Sequence, residues 1–239
     1  AALSQTNLKL VGTHAGTHIG EDGGSQMGLE DLALLRAVQG STVVYPADPY
    51  ATEALLRELC AQRGIGYLRA TRGETPVLYD AQEAFPIGGS KTLRHSDADR
   101  CVVVAAGITL HEALKAHELL AIHDGVAVRV IDAYSVKPID AASLRAAARA
   151  CGGRVIVVED HRIEGGLGDA VLGALAEEDG VKVKKLAVHE LPHSGRPEEL
   201  LELYGLSAER IAHARAFGLI HLVCLSPIVT RRKSDILAT

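Results

Sequence analysis

The chain has 239 residues, a formal net charge of −5 at pH 7, 47% hydrophobic and 23% charged residues, 3% aromatics and no tryptophan. At roughly 150 residues per domain this is one large globular domain or two modest ones. The acidic balance and scarce aromatics argue against a nucleic-acid or anionic-membrane surface.

Four cysteines, Cys60, Cys101, Cys151 and Cys224, are scattered without a CxxC pair, which fits reduced structural thiols. No signal peptide is visible. The longest apolar run, 216–229, contains His221 and Pro227 and is too short to span a bilayer. A cytoplasmic location is therefore expected. The chain opens at Ala1 without an initiator Met, which points to a truncated polypeptide rather than a natural subunit.

The first notable stretch is a polar, glycine-rich loop from Gly12 to Gln26. Glycines at 12, 16, 20, 23 and 24 let its backbone turn sharply or approach a ligand closely. His14, His18, Glu21, Asp22 and Gln26 on that loop suit a polar ligand; a solvated surface loop is the plainer alternative. A zinc pair of His14 and His18 is weaker, because Gly16 lies between them and no third ligand has a standard spacing.

Ser41–Tyr45 then reads as a buried strand, and Asp48-Pro49 as the N-cap and first residue of a helix with Leu55, Leu56, Leu59 and Cys60 on one face. Gly66–Arg69 is the next strand. Residues 80–98, with Pro86, Gly88 and Gly89, read as a linker or short hairpin. Cys101–Ala106 is a strand, followed by an apparent capping box, Thr109-Leu-His-Glu112, and a stripe of Leu110, Leu114, His117 and Leu120.

Val126–Ile131 is predicted as strand, Ala141–Ala150 as helix and Arg154–Val158 as strand. Gly165-Gly166-Leu-Gly168 enters a helix ending near Glu177, Val181–Val188 is a last strand, and helices close the chain over 197–204 and 207–217. Repeated strand–helix units predict an α/β fold with two open, largely parallel sheets and flanking helices. The domains expected are 1–82, a linker over 83–98, 99–217, and a tail over 218–239 that breaks the pattern.

The run from His14 through Gly-Glu-Asp-Gly-Gly-Ser-Gln to Ala33 resembles the transketolase motif at the end of the pyrimidine-binding domain. Ordered matches continue through Thr42–Asp48, Arg69-Ala-Thr-Arg72, Ala106–Ala113, Ile131–Asp140, Val158-Glu-Asp-His161 and Ser194–Glu199, covering about residues 8 to 217. The resemblance implies a partial pyrimidine-binding domain plus a transketolase C-terminal domain. It further implies thiamine-diphosphate-dependent transfer of a two-carbon ketol unit from a ketose phosphate to an aldose phosphate, in the pentose phosphate pathway. The cofactor carries the carbon–carbon chemistry; protein groups orient the sugar and bind its phosphate.

On that resemblance, His14 and Arg72 contact the substrate phosphate, for which a guanidinium fork is well shaped. Asp22 bonds a donor-sugar hydroxyl. Gln26 lies near the cofactor's reactive centre, where an amide offers hydrogen bonds but exchanges no proton near neutral pH. Gly24 and Gly73 stand where proline is frequent and are read as loosening the backbone. Arg69 is left structural, and His161 belongs to the second domain's signature.

The family's diphosphate-binding domain is not found, nor its Gly-Asp-Gly metal motif or the glutamate that activates the aminopyrimidine. Mg²⁺ or Ca²⁺ on a diphosphate needs oxygen ligands. The chain is thus expected to be inactive without a missing N-terminal half or subunit, in a homodimer or heterotetramer, with no metal ligand of its own. Alternatives are a part of 1-deoxyxylulose-5-phosphate synthase or of a 2-oxoacid dehydrogenase beta subunit, a non-catalytic dimerisation module, or a nucleotide binder using Gly165–Gly168.

Overall fold

A computed structural model describes residues 1–214; the predicted tail over 218–239 and the end of the last helix lie outside them. The first half runs β1 (Leu8–Gly12), a short 3-10 segment (Thr17–Asp22), α1 (Asp31–Ala37), β2 (Thr42–Val44), α2 (Pro49–Ala61) and β3 (Ile65–Arg69). The second runs β4 (Lys91–Arg94), β5 (Val102–Ala105), α3 (Ile108–Asp124), β6 (Arg129–Asp132), β7 (Ser135–Lys137) and α4 (Ala141–Ala150). It continues through β8 (Arg154–Arg162), α5 (Leu167–Leu175), β9 (Lys182–Val188), α6 (Pro197–Leu203) and α7 (Ala208–Ala214).

The strands form a four-stranded sheet, β1-β3-β2-β7, and a five-stranded sheet, β4-β6-β5-β8-β9. Both are parallel except at one edge: β7 runs antiparallel to β2, and β4 antiparallel to β6. The α/β class with two largely parallel sheets is as predicted. The halves are nevertheless interlocked, because β7 comes from the second half of the chain and completes the first sheet. The 83–98 stretch carries β4, and Phe85, 2% exposed, stacks edge-on between Tyr79 and Tyr134.

Local chemistry explains the helix ends. Asp48 Oδ1 accepts from the Ala51 amide at 2.7 Å with Pro49 in the first turn, so this N-cap forms as expected. Ala51, Leu55 and Leu59 are buried, whereas Leu56 and Cys60 are exposed, so the buried stripe of α2 is narrower than the sequence suggests.

The capping box at Thr109 does not form. The N-cap is Gly107, and Thr109 Oγ1 donates to the carbonyls of Ala106 and Val158. Glu112 turns away to accept from the Ala208 amide and to pair with Lys115. Tertiary packing of α7 on α3 outcompetes the local cap.

One apolar cluster joins Ile19, Met27 and Leu29 to Val103, Leu110, Val158, Leu200 and Leu206, so the glycine-rich loop is anchored in the second half's core. Cys60, Cys101 and Cys151 are free, and burial pushes the Cys101 thiol up to about 12. Among the described residues no helix is long and apolar enough to cross a membrane.

Candidate functional site

The site is organised by the β1–β3 pair. These strands run parallel with Gly12 opposite Arg69, and the ladder continues beyond them: the Ala70 amide donates to the Gly12 carbonyl at 2.7 Å, and the Ala15 amide to the Ala70 carbonyl at 3.1 Å. His14 is therefore fixed on the span between two backbone bonds that also fix the segment leading to Arg72. Ligands of open parallel sheets gather at such carboxyl ends of strands.

The loop that leaves at Ala15 returns at Gly28, where the two residues form a bridge and the Gly16 amide donates to the Gly28 carbonyl at 3.0 Å. This closure carries Asp22 and Gln26 back to the same end of the sheet. Asp22 Oδ2 and Arg72 Nη1 meet at 2.8 Å, with side chains 43% and 50% exposed. Water and ligand both reach such a pair, and the guanidinium keeps further N–H donors for an anion.

His14 is exposed, with φ 62, a left-handed backbone rare outside glycine, and its Nδ1 lies 2.9 Å from Thr13 Oγ1. Strain of this kind, on the order of 1–3 kcal/mol, concentrates at functional positions. Gln26 is exposed at the end of a turn closed by its amide on the Gly23 carbonyl. The structure thus pairs Asp22 directly with Arg72. Among the described residues no hydrogen bond joins His14 or Gln26 to that pair.

Behind this surface lies a buried ionic node centred on Arg69, which is fully buried. Its Nε donates to Asp31, Nη1 to Asp160 Oδ1 at 2.7 Å, and Nη2 to the Gly28 and Asp160 carbonyls. Its guanidinium also stacks 4.4 Å from the Tyr45 ring centroid, and the Tyr45 hydroxyl donates to Asp160. Arg69 is structural, as expected, and it clamps the loop closure at Gly28 to the second half of the chain. Burial raises the Asp160 pKa, and the Arg69 charge opposes that rise.

His161 also crosses between the halves, its Nε2 accepting from the Ala33 amide and its Nδ1 donating to the Arg162 carbonyl. Burial, reinforced by the Arg69 charge, lowers its pKa to about 4, so the ring is neutral at pH 7. His111 and His117 bond the Ala47 and Val128 carbonyls and pack structurally.

The amino end of α5, behind Gly165–Gly168, is taken by Glu159, whose carboxyl accepts from the Gly168 amide. Burial raises that carboxyl to about 8. A nucleotide phosphate has no claim on amides already satisfied in this way.

Two glycines read as loosening the backbone have another role. Neither Gly24 nor Gly73 has positive φ. A Cβ at Gly24 would stand 2.7 Å from the Pro192 carbonyl oxygen, and one at Gly73 2.4 Å from His18 Cε1. At Gly24 the obstacle to a Cβ is a backbone carbonyl; at Gly73 it is the His18 ring, which would have to shift. No local pattern signals the His18–Gly73 contact, since 55 positions separate the partners.

A cation on a diphosphate takes oxygen ligands; among the described residues no three His, Cys, Asp or Glu side chains converge as a metal site. The guanidinium and imidazole at the strand ends carry N–H groups able to bond an anion, and the carboxylate and amide can accept from hydroxyls.

Comparison with known proteins identifies the family. The family model for the pyrimidine binding domain of transketolase matches residues 1–77, and that for the transketolase C-terminal domain matches residues 90–211. Transketolase-like protein 2 of Mus musculus is 47% identical over 213 residues, 89% of this chain and 34% of that protein. Transketolase of Homo sapiens is 45% identical over 214 residues, 90% of this chain and 34% of that protein. The chain thus spans about a third of the length of these curated relatives. A solved structure described as a split gene transketolase, inactive beta4 tetramer, superposes with a TM-score of 0.81 at 34% identity, over 90% of this chain and 67% of that one. On the two matched domains, which together cover most of its length, the chain belongs to the transketolase family.

Proposed function

We propose that this chain supplies the sugar-phosphate side of a transketolase active site, and that a diphosphate-binding half on another polypeptide segment supplies the rest. The observation that carries this reading is the half-exposed Asp22–Arg72 pair at the carboxyl end of β1 and β3, beside a strained His14 on the same backbone ladder.

In this reading Arg72 and His14 bind the substrate phosphate, and Asp22 holds both Arg72 and a sugar hydroxyl. Gln26 orients donor hydroxyls near the reactive centre. Its amide carries no titrating proton, so proton transfer falls to other groups. Thiamine diphosphate, bound with its cation mainly by the missing half, supplies the carbon–carbon bond chemistry. The reaction is transfer of a two-carbon ketol unit between sugar phosphates, in the cytoplasm and within the pentose phosphate pathway.

The partner in this reading is a diphosphate-binding segment, in a homodimer or heterotetramer. The split-gene neighbour, an inactive tetramer of one kind of subunit by its description, supports a need for that second component. Calorimetry of the chain with thiamine diphosphate and Mg²⁺, followed by a coupled ketol-transfer assay with and without a complementing half, tests it. The expected result is no submicromolar cofactor binding and no turnover by the chain alone, with turnover restored on combination. Submicromolar binding or turnover by the isolated chain refutes the division of labour, and use of pyruvate as the two-carbon donor, with loss of CO₂, favours a 1-deoxyxylulose-5-phosphate synthase.

A further inference from the structure

His18 has no role in the proposed chemistry, yet it occupies a constrained place. It lies in the 3-10 segment four residues before Asp22, and its contact partner Gly73 directly follows Arg72. A Cβ at Gly73 would stand 2.4 Å from His18 Cε1 and 2.9 Å from Nδ1. The imidazole edge therefore stands where a Cβ at 73 would be, and a side chain there would have to displace the ring. Its Nδ1 is buried without a hydrogen-bond partner among the described residues, and the ring's close neighbour on this side is Gly73.

The opposite side of the loop is closed. Added Cβ atoms at Gly20, Gly23 and Gly24 would stand 3.0 Å from Pro197 Cδ, 2.3 Å from Ser194 Oγ and 2.7 Å from the Pro192 carbonyl oxygen. Pressed between the 192–197 segment and Gly73, the loop has little freedom to retreat. The Asp22–Arg72 pair, half exposed on both sides, is too weak on its own to hold two loops in register.

We infer that His18 is a positioning residue for Arg72: its ring, seated on Gly73, sets where the guanidinium stands relative to Asp22 and hence to a bound phosphate. The seating itself stands on geometry alone; its consequence for phosphate rests on the function proposed above.

The test uses the full chain as wild type, Gly73→Ala, His18→Ala and the double variant. Melting, the Arg72 Nε–H resonance and titration with inorganic phosphate are followed in each. Gly73→Ala is expected to lower the melting temperature, shift the Arg72 resonance and weaken phosphate binding about tenfold, and adding His18→Ala to recover most of all three, a strong non-additivity. Should Gly73→Ala fail to fold, His18→Ala, which only removes atoms, is expected to shift the Arg72 resonance by itself.

Additive effects, or an Arg72 resonance unchanged by His18→Ala, overturn the inference. A wild-type chain with no response to phosphate counts against the phosphate role of Arg72 in the proposed function, while the resonance and the melting cycle still decide the His18 contact.

Discussion

Arg69 and Arg72 stand three positions apart at the end of β3, and burial gives them opposite tasks. Arg69 is sealed between Asp31, Asp160 and Tyr45, whereas Arg72 is half exposed with one carboxylate partner. Removing Asp160 leaves the buried guanidinium with Asp31 as its remaining carboxylate and with unmet N–H groups, and breaking a buried pair typically costs about 3–5 kcal/mol. Asp160→Ala is accordingly expected to lose about that much stability in urea denaturation, and a loss under about 1 kcal/mol contradicts the clamp.

Asp132 gives a pH signature at the same scale. It is fully buried, its Oδ2 accepts from the Tyr79 hydroxyl at 2.7 Å, and its Oδ1 has no partner. Burial raises its pKa from 3.8 to about 7. Between those values the folded carboxyl keeps a proton that the unfolded one releases, so its contribution to stability is full below pH 4 and is lost as pH rises toward 7. His161, lowered to about 4, works in the opposite direction over part of that range. Asp132→Asn isolates the first effect: its stability relative to wild type should improve from pH 4 to pH 7 and then level off. A difference that stays flat over that range contradicts the assignment.

At the scale of elements, what the sequence disclosed depended on how local each cause was. The N-cap at Asp48 and the strands around Val43, Val103 and Val157 were legible because a side chain or a short apolar run decides them. β1 was not, since Leu8, Leu10 and Val11 are at least 37% exposed and the strand exists through its pairing with β3. β7 is only Ser135–Lys137 and is held by a strand some 90 positions earlier.

Thr109 misled because its hydroxyl found the Val158 carbonyl, and Gly107 took the cap. Gly107 has φ 57, and a Cβ there would meet the Tyr45 ring at 2.0 Å. Gly107→Ala should therefore displace Tyr45 and cost about 2 kcal/mol or more, measured by chemical denaturation; a neutral substitution contradicts this packing. In the candidate site, residue types were readable in the motif. Their assembly was not, because it arises from the Gly12–Ala70 ladder, the Ala15–Gly28 closure and the His18 seat.

The whole molecule is more unified than its two-domain motif order suggests. β7 lends an edge to the first sheet, Ile19, Met27 and Leu29 sit in the second half's core, and Asp160 and His161 reach back to Arg69 and Ala33. The second half therefore holds the loop whose tip presents Asp22, and the chain should unfold in a single calorimetric transition. Two resolved transitions would show that the halves are energetically independent.

The most direct test of the sugar-phosphate role is ketol transfer by the chain combined with a diphosphate-binding half, comparing wild type with Arg72→Ala. Loss of a charge-assisted contact should lower kcat/KM for a phosphorylated acceptor about ten- to a hundredfold while leaving an unphosphorylated acceptor nearly unaffected. Equal losses on both acceptors, or no loss on either, would contradict a phosphate site at the ends of β1 and β3.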